Sequence, residues 1–155
     1  MTIEEKVKDW AFNRLSKVSE QFNNLPPCPY AKTAFVNDSV SFVEADYREF
    51  LDVVTKETLN FTGDKNVVIV YSKHNPFGLD YLEGSVEAMN FTLSHMKKDI
   101  WLLGFVNEWT MVLIQKITML DDASIDLEKK GYYNNYNEDQ FENYILKRRR
   151  LRNRL

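Results

Sequence analysis

Apolar residues recur at steps of three and four through Ile3, Val7, Trp10, Ala11, Leu15, Val18 and Phe22, the spacing that lines one face of a helix. The pattern predicts a helix running to about Asn23, opened by Thr2 and Glu5 at capping-box separation. Asn23-Asn24-Leu25-Pro26-Pro27 stops it, because proline has no N–H to donate and pushes its predecessor out of helical geometry. After Cys28-Pro29-Tyr30 come two runs rich in β-branched and aromatic residues, 32–36 and 39–44, around Asn37-Asp38. They predict a β-hairpin, with a single bent strand as the alternative. Asp46 and Glu49 repeat the capping spacing ahead of Tyr47, Phe50, Leu51, Val54 and Thr58, a second amphipathic helix that should finish near Asn60.

The run at 67–71, Val-Val-Ile-Val-Tyr, is short, uninterrupted and β-branched, the pattern of a strand covered on both faces. Asp80 and Glu83 give a third capping pair, and Leu79, Leu82, Val86, Met89, Leu93 and Met96 form a helical stripe ending in Lys97-Lys98, where positive charge suits the helix dipole. Residues 100–105 and 111–117 read as two further strands, antiparallel across 106–109. Strands alternating with helices, closed by an antiparallel pair, predict an α/β (α+β) fold: a mixed sheet of about four to five strands packed with helices. Ferredoxin-like elements are compatible with that order. Residues 120–130 read as a short helix and 131–137 as a polar, aromatic connector. An extra C-terminal helix at 137–155, bearing a basic tail, is expected to pack only at its start.

Composition narrows the class. At 155 residues, 44% of them apolar, with only five glycines and four prolines and no flexible linker, the chain is expected to form one domain over 1–155. No apolar stretch approaches the ~20 residues that span a bilayer, and the N-terminus alternates acid and base without a signal-peptide core. The expected location is cytoplasmic, with no membrane partner. A single cysteine excludes an internal disulfide and a multi-thiolate metal site.

The net charge of −3 conceals an asymmetry. Lys147, Arg148, Arg149, Arg150, Arg152 and Arg154 are six of the 20 basic residues, which leaves 14 against 23 acidic ones, or −9, for residues 1–146. Such a tail has three readings: contact with nucleic-acid phosphates, docking on an acidic protein surface including its own body, or a solvated helix end that complements the dipole. The acidic body favours the last two over nucleic acid. Tyr132, Tyr133 and Tyr136 nearby have rings suited to base stacking and equally to packing. Completion of a homo-oligomer is a further role for the tail.

Candidate chemistry is sparse. Cys28 lies in an irregular loop, where reactive groups tend to sit, but a thiol reacts as thiolate and needs a nearby cation to lower its pKa. Lys32 is close in sequence, and His74 follows the candidate central strand, at the end where α/β sheets tend to bind ligands. An enzyme reading therefore names Cys28, His74 and Lys32 as catalytic, with Tyr30 and Asn75 as ligand-binding residues. Its competitor treats Cys28 as a small buried hydrophobe and His74 as part of a turn. His74 and His95 are isolated, and scattered carboxylates lack the clustered spacing of metal ligands. No metal is expected, and no phosphate loop or other cofactor motif is present. Whether the protein is an enzyme stays open.

Cys28-Pro29-Tyr30 also matches the start of a glutaredoxin active site, but Ala31 stands at the second cysteine position and a proline-terminated helix precedes the motif, which excludes that family. Trp10 on an opening helix, then Leu25-Pro26-Pro27-Cys28-Pro29-Tyr30-Ala31-Lys32, then strand-like residues Phe35-Val36 and 40–43, a helix and the strand at 67–70 together resemble a family of uncharacterised bacterial proteins. Its hallmark is a Leu-Cys-Pro-Phe-Ala-Lys segment after a Trp-bearing helix. Here Pro27 precedes the cysteine and Tyr30 replaces the phenylalanine. The later His-Pro and Asn-Arg-Ser-Pro-Tyr-Pro segments of the family are absent. The resemblance covers the N-terminal half and implies a candidate site around Cys28 without a reaction.

Overall fold

The computed structural model describes residues 1–74, 78–106 and 108–155. Helix α1 (Ile3–Trp10) opens at the capping box read from the sequence. Thr2 Oγ1 accepts from the Glu5 N–H at 3.2 Å, and the Glu5 carboxylate accepts from the Thr2 N–H at 2.7 Å. The helix continues through a π-helical turn at Ala11–Leu15 and ends there, short of Asn23. Ser16 Oγ donates to the Ala11 carbonyl at 2.7 Å. After a 3-10 turn at Glu20–Phe22, Asn23 and Asn24 adopt left-handed φ angles of 55° and 60° and turn the chain back so that Ser19 bridges Leu25.

The hairpin expected at 32–44 does not form. Residues Ala31–Val36 are a helix, α2, and only Val40–Glu44 is a strand, β1. The backbone, rather than β propensity, decides it. Ala34 N–H bonds to Tyr30 O at 3.1 Å, and Ser39 closes the helix by directing both its N–H and its Oγ to Ala34 O. Asp38, in the left-handed region at φ 51°, makes the turn into β1.

The remaining elements are α3 (Phe50–Leu59), β2 (Val67–Ser72), α4 (Leu79–His95), β3 (Trp101–Val106), β4 (Thr110–Gln115) and α5 (Ile117–Lys129). A C-terminal helix follows, built from α6 (Glu138–Phe141), a π-helical turn (Glu142–Leu146) and α7 (Lys147–Arg152). Two expected caps take other forms. Asp46 accepts from the Arg48 N–H at 2.9 Å in a turn ahead of α3, and α4 begins at Gly78, with no side-chain bond at either helix cap. Asp80 lies inside the first turn of α4, where its charge suits the dipole.

The four strands form a mixed sheet in the order β1-β2-β4-β3. β1 and β2 are parallel, and β4 runs antiparallel to both β2 and β3. β2, α4 and β3 thus make a split β-α-β unit with β4 inserted, the ferredoxin-like element anticipated above. Period-two alternation sorts β2 between the two faces. Val70, with Leu102, Val112 and Ile114, packs under α3 and α4 against Val54, Leu82 and Val86. Ile69 and Tyr71 face the other way with Met111, against Val7 and Trp10 of α1 and Phe35 of α2. Gly104 permits close approach of α4, since a Cβ there would meet the Leu82 side chain at 3.1 Å. Among the described residues no helix is long and apolar enough to cross a membrane.

A side chain occupies the β3 edge at Leu102. Asn90 of α4, 5% exposed, donates Nδ2 to Leu102 O at 2.9 Å and accepts from Leu102 N at 2.8 Å. Its carboxamide stands where the peptide group of a fifth strand would pair. Replacing Asn90 with Leu leaves both backbone groups buried and unpaired, at a cost of ~1–3 kcal/mol each in lost solvation. Urea unfolding is therefore expected to show a loss of about 2–6 kcal/mol. A change within about 0.5 kcal/mol, the range of ordinary surface substitutions, would mean that Asn90 does not hold the Leu102 backbone.

Candidate functional site

Cys28 sits at the far end of α1. Its N–H donates to Leu15 O at 2.9 Å, and the preceding carbonyl of Pro27 accepts from the Tyr132 hydroxyl. Burial pushes the thiol above its usual pKa, opposed by the N–H groups of Tyr30 and Ala31. The Lys32 ammonium lies 5.9 Å from the centre of the Phe12 ring, and Tyr30 is 45% exposed. His74 lies beyond the end of β2, where its N–H donates to Ser72 Oγ at 3.4 Å and its ring meets Tyr47 edge-on at 5.8 Å. Asn75 lies outside the described residues.

These contacts do not bring Cys28 and His74 into one pocket. Near its start α1 shares a cavity with Tyr71 and Lys73 at the end of β2, whereas Leu15, which holds Cys28, lies about 18 Å farther along at 1.5 Å per helical residue. Among the described residues no group of three or more His, Cys, Asp or Glu side chains is placed to hold a metal ion.

Two cavities stand out among the described residues. The larger, about 780 Å³, lies at the ends of β1 and β2 between Thr2, Glu44, Tyr71, Lys73, Glu108 and Trp109. Its lysines are already engaged: Lys6 meets Glu108 at 3.4 Å and Lys73 meets Glu44 at 3.3 Å. Burial raises the Tyr71 pKa, helped by the negative charge of Glu44 and Glu4. Among the described residues the indole N–H of Trp109 is buried without an acceptor. The smaller, about 340 Å³, is a mostly apolar groove of Gly84, Ala88 and Phe91 on α4, Trp101 on β3, and Lys147 and Leu151 on α7.

The C-terminal helix that walls this groove docks along its length, not only at its start. An Asn137–Gln140 capping box opens it, and Ile145 and Leu151 are 4% and 9% exposed. Its cations are met by the acidic body. Arg148 Nε reaches the Asp121 carboxylate at 2.9 Å, with side chains only 12% and 2% exposed. Arg152 meets Asp122 at 2.8 Å and the other Asp121 oxygen at 3.7 Å. Arg149 meets Glu128 at 2.8 Å and donates to Ser124 Oγ, while Lys147 pairs with Glu87 and Arg150 with Glu142.

Arg154 differs from the other five. Its guanidinium meets no carboxylate among the described residues, bonding instead to Ser94 Oγ at 3.3 Å and His95 Nδ1 at 3.2 Å, and it lies 5.3 Å from the centre of the Phe91 ring. Lys97 donates its ammonium to Arg154 O at 3.0 Å, and neither Lys97 nor Lys98 meets a carboxylate among the described residues. Phe91, 52% exposed, lies beside this guanidinium, and Met96, 50% exposed, caps the same helix end. Lys97-Lys98 was legible as a helix-ending signal, whereas its position beside Arg154 depends on contacts between residues 57 positions apart.

No family model matches the chain, and no curated protein or solved structure matches it either.

Breaking one half of a buried ion pair strands the other. Arg148→Met is expected to destabilise the fold by about 3 kcal/mol, at the lower end of the ~3–5 kcal/mol range for such a loss, because Arg152 retains a weaker hold on Asp121. Chemical unfolding measures this, and a loss below about 1 kcal/mol, as for exposed pairs, would contradict a buried clasp. For Cys28, iodoacetamide at pH 7.5 should react more slowly with the folded protein than with free cysteine, and unfolding should restore the free rate. Faster reaction in the folded state would show an activated thiolate and reverse the assignment of Cys28 as a packed thiol.

Proposed function

We propose that the protein is a cytoplasmic accessory binding module, and that the cationic rim around Phe91 contacts an acidic segment of a partner protein. The supporting observation is the end of α4, where Lys97 and Arg154 meet and Lys98 follows in the chain, all three without carboxylate partners among the described residues, with exposed Phe91 beside the Arg154 guanidinium. Surface cations steer an acidic partner. An exposed aromatic ring supplies the apolar anchor found at interface centres.

Local backbone geometry supports this reading. Lys98 N–H bonds to Leu93 O at 3.0 Å and Lys97 N–H to Ser94 O at 3.1 Å, which closes α4 as a Schellman motif with Lys97 at φ 56°. Glycine is the usual occupant of that position. A lysine accepts backbone strain there and brings charge to the patch. Nucleic acid fits less well, because five of the six tail cations are paired internally and a phosphate-tracking surface requires available cations.

The test uses isotope-labelled protein titrated with a Glu/Asp-rich peptide carrying Phe and Leu, its charge-neutral counterpart, and single-stranded and duplex oligonucleotides. The acidic peptide is expected to shift resonances of Phe91, Met96, Lys97, Lys98 and Arg154. Reversing Lys97 and Lys98 to Glu should weaken it by about tenfold or more, equivalent to 1.4 kcal/mol, and added salt should weaken it further. Tighter oligonucleotide binding at the same residues, absence of peptide shifts, or concentration-dependent self-association through this patch would overturn the assignment.

A further inference from the structure

His95 stands inside this patch, and its Nδ1 faces two groups with incompatible demands. Arg154 NH1, at 3.2 Å, has only hydrogens to offer, while Phe91 O, at 3.0 Å, has only lone pairs. A neutral ring with its proton on Nε2 accepts from Arg154. A ring with hydrogen on Nδ1 donates to Phe91 O and has no lone pair left for the guanidinium. Protonation places hydrogen on both nitrogens and forces the second arrangement.

The surroundings make that change one-sided. From α4 the ring is faced by Phe91, whose ring centre is 4.3 Å away and whose carbonyl also accepts from Ser94 Oγ at 2.7 Å. Lys97 and Lys98 follow in the chain, and Arg154 approaches from the C-terminal segment. Among the described residues no carboxylate from any element lies within ion-pair distance of His95. A proton on the ring therefore adds a second cation beside Arg154 with no countercharge, and only the Phe91 carbonyl and the negative end of the α4 dipole receive it.

We propose that protonation of His95 releases Arg154 from the end of α4, uncovering Phe91 and raising the positive charge of the patch. The consequence, which rests on the binding role proposed above, is that an acidic partner is held more tightly as pH falls. Histidine is the side chain suited to such a change near neutral pH, and acidic peptide side chains remain largely ionised above about pH 5.5.

The release is tested without any partner. In an NMR titration from pH 8 to 5.5, the Arg154 side-chain and Phe91 ring resonances should move with the midpoint of the His95 ring. They should stay still in His95→Gln, whose amide does not change charge over this range. Arg154 remaining static while His95 titrates, or moving equally in His95→Gln, overturns the switch. Affinity for the Glu/Asp-rich peptide is then compared at pH 8 and 5.5. A severalfold gain in the wild type and none in His95→Gln supports control of binding, whereas equal affinities with Arg154 released refute that control. No binding at either pH refutes the binding role, leaving the partner-free titration to decide the switch.

Discussion

The Asp121 carboxylate sets the geometry on which the candidate surface depends. It is 2% exposed, and an ionised carboxylate in such a place is costly unless paired. Arg148 and Arg152, four residues apart and therefore on one helix face, converge on it. That fixes the rotation of the whole C-terminal helix. At 3.6 residues per turn, Ile145 and Leu151 fall on the same inward side, Arg149 turns toward Glu128, Lys147 turns toward Glu87 on α4, and Arg150 points outward. The segment then continues past Leu151 until Arg154 reaches the end of α4. A buried ionic contact thus acts as a registry device for residues well beyond it.

The sheet imposes a second constraint. With β1 and β2 parallel, their starts and ends lie at opposite rims, and α1 spans the distance between them. The loop carrying Cys28 meets the end of the helical segment at Leu15, while the residues after β2 share a cavity with its beginning. Two loops distant in sequence, which a common sheet rim would have joined in one pocket, thereby meet different ends of this helical segment. On the other side of the sheet, α4 does more than cover the core. Asn90 pairs with the edge backbone of β3 at Leu102, and the last turn of the same helix carries Phe91 and His95 to Arg154.

Elements with long, regular patterns were legible in the sequence. The run at 67–71 is a two-sided central strand, α4 follows its apolar stripe, and the last two strands pair antiparallel. The first capping box is present because Thr2 and Glu5 interact only with each other's backbone, a local matter. Residues 32–36 misled because Thr33, Phe35 and Val36 have strand propensity, whereas Ser39 and the Tyr30 carbonyl supply helical bonding that composition does not reveal. Asp46 and Asp80 had capping spacing, yet a turn at Asp46 and the start at Gly78 displaced them. The destination of the tail was partly legible: a body at −9 beside six clustered cations made internal docking one reading, but only tertiary contacts select Asp121 among 23 acidic residues.

The internal pairing changes the meaning of the basic tail. Five cations that make the segment conspicuous in sequence are spent on Asp121, Asp122, Glu128, Glu87 and Glu142, and at a distance beyond the ~8 Å Debye length their fields are largely cancelled and screened. What remains is local: Arg154 joined to Lys97 and Lys98, which belong to a different helix end and would not be grouped with the tail by sequence. Lys97 occupies a left-handed position where glycine avoids a Cβ penalty. Its ammonium holds the Arg154 carbonyl, so this same residue ties the tail to α4 and contributes charge to the surface around Phe91. The candidate interface is therefore created by tail docking, and its cationic character comes from the charges that docking leaves without carboxylate partners.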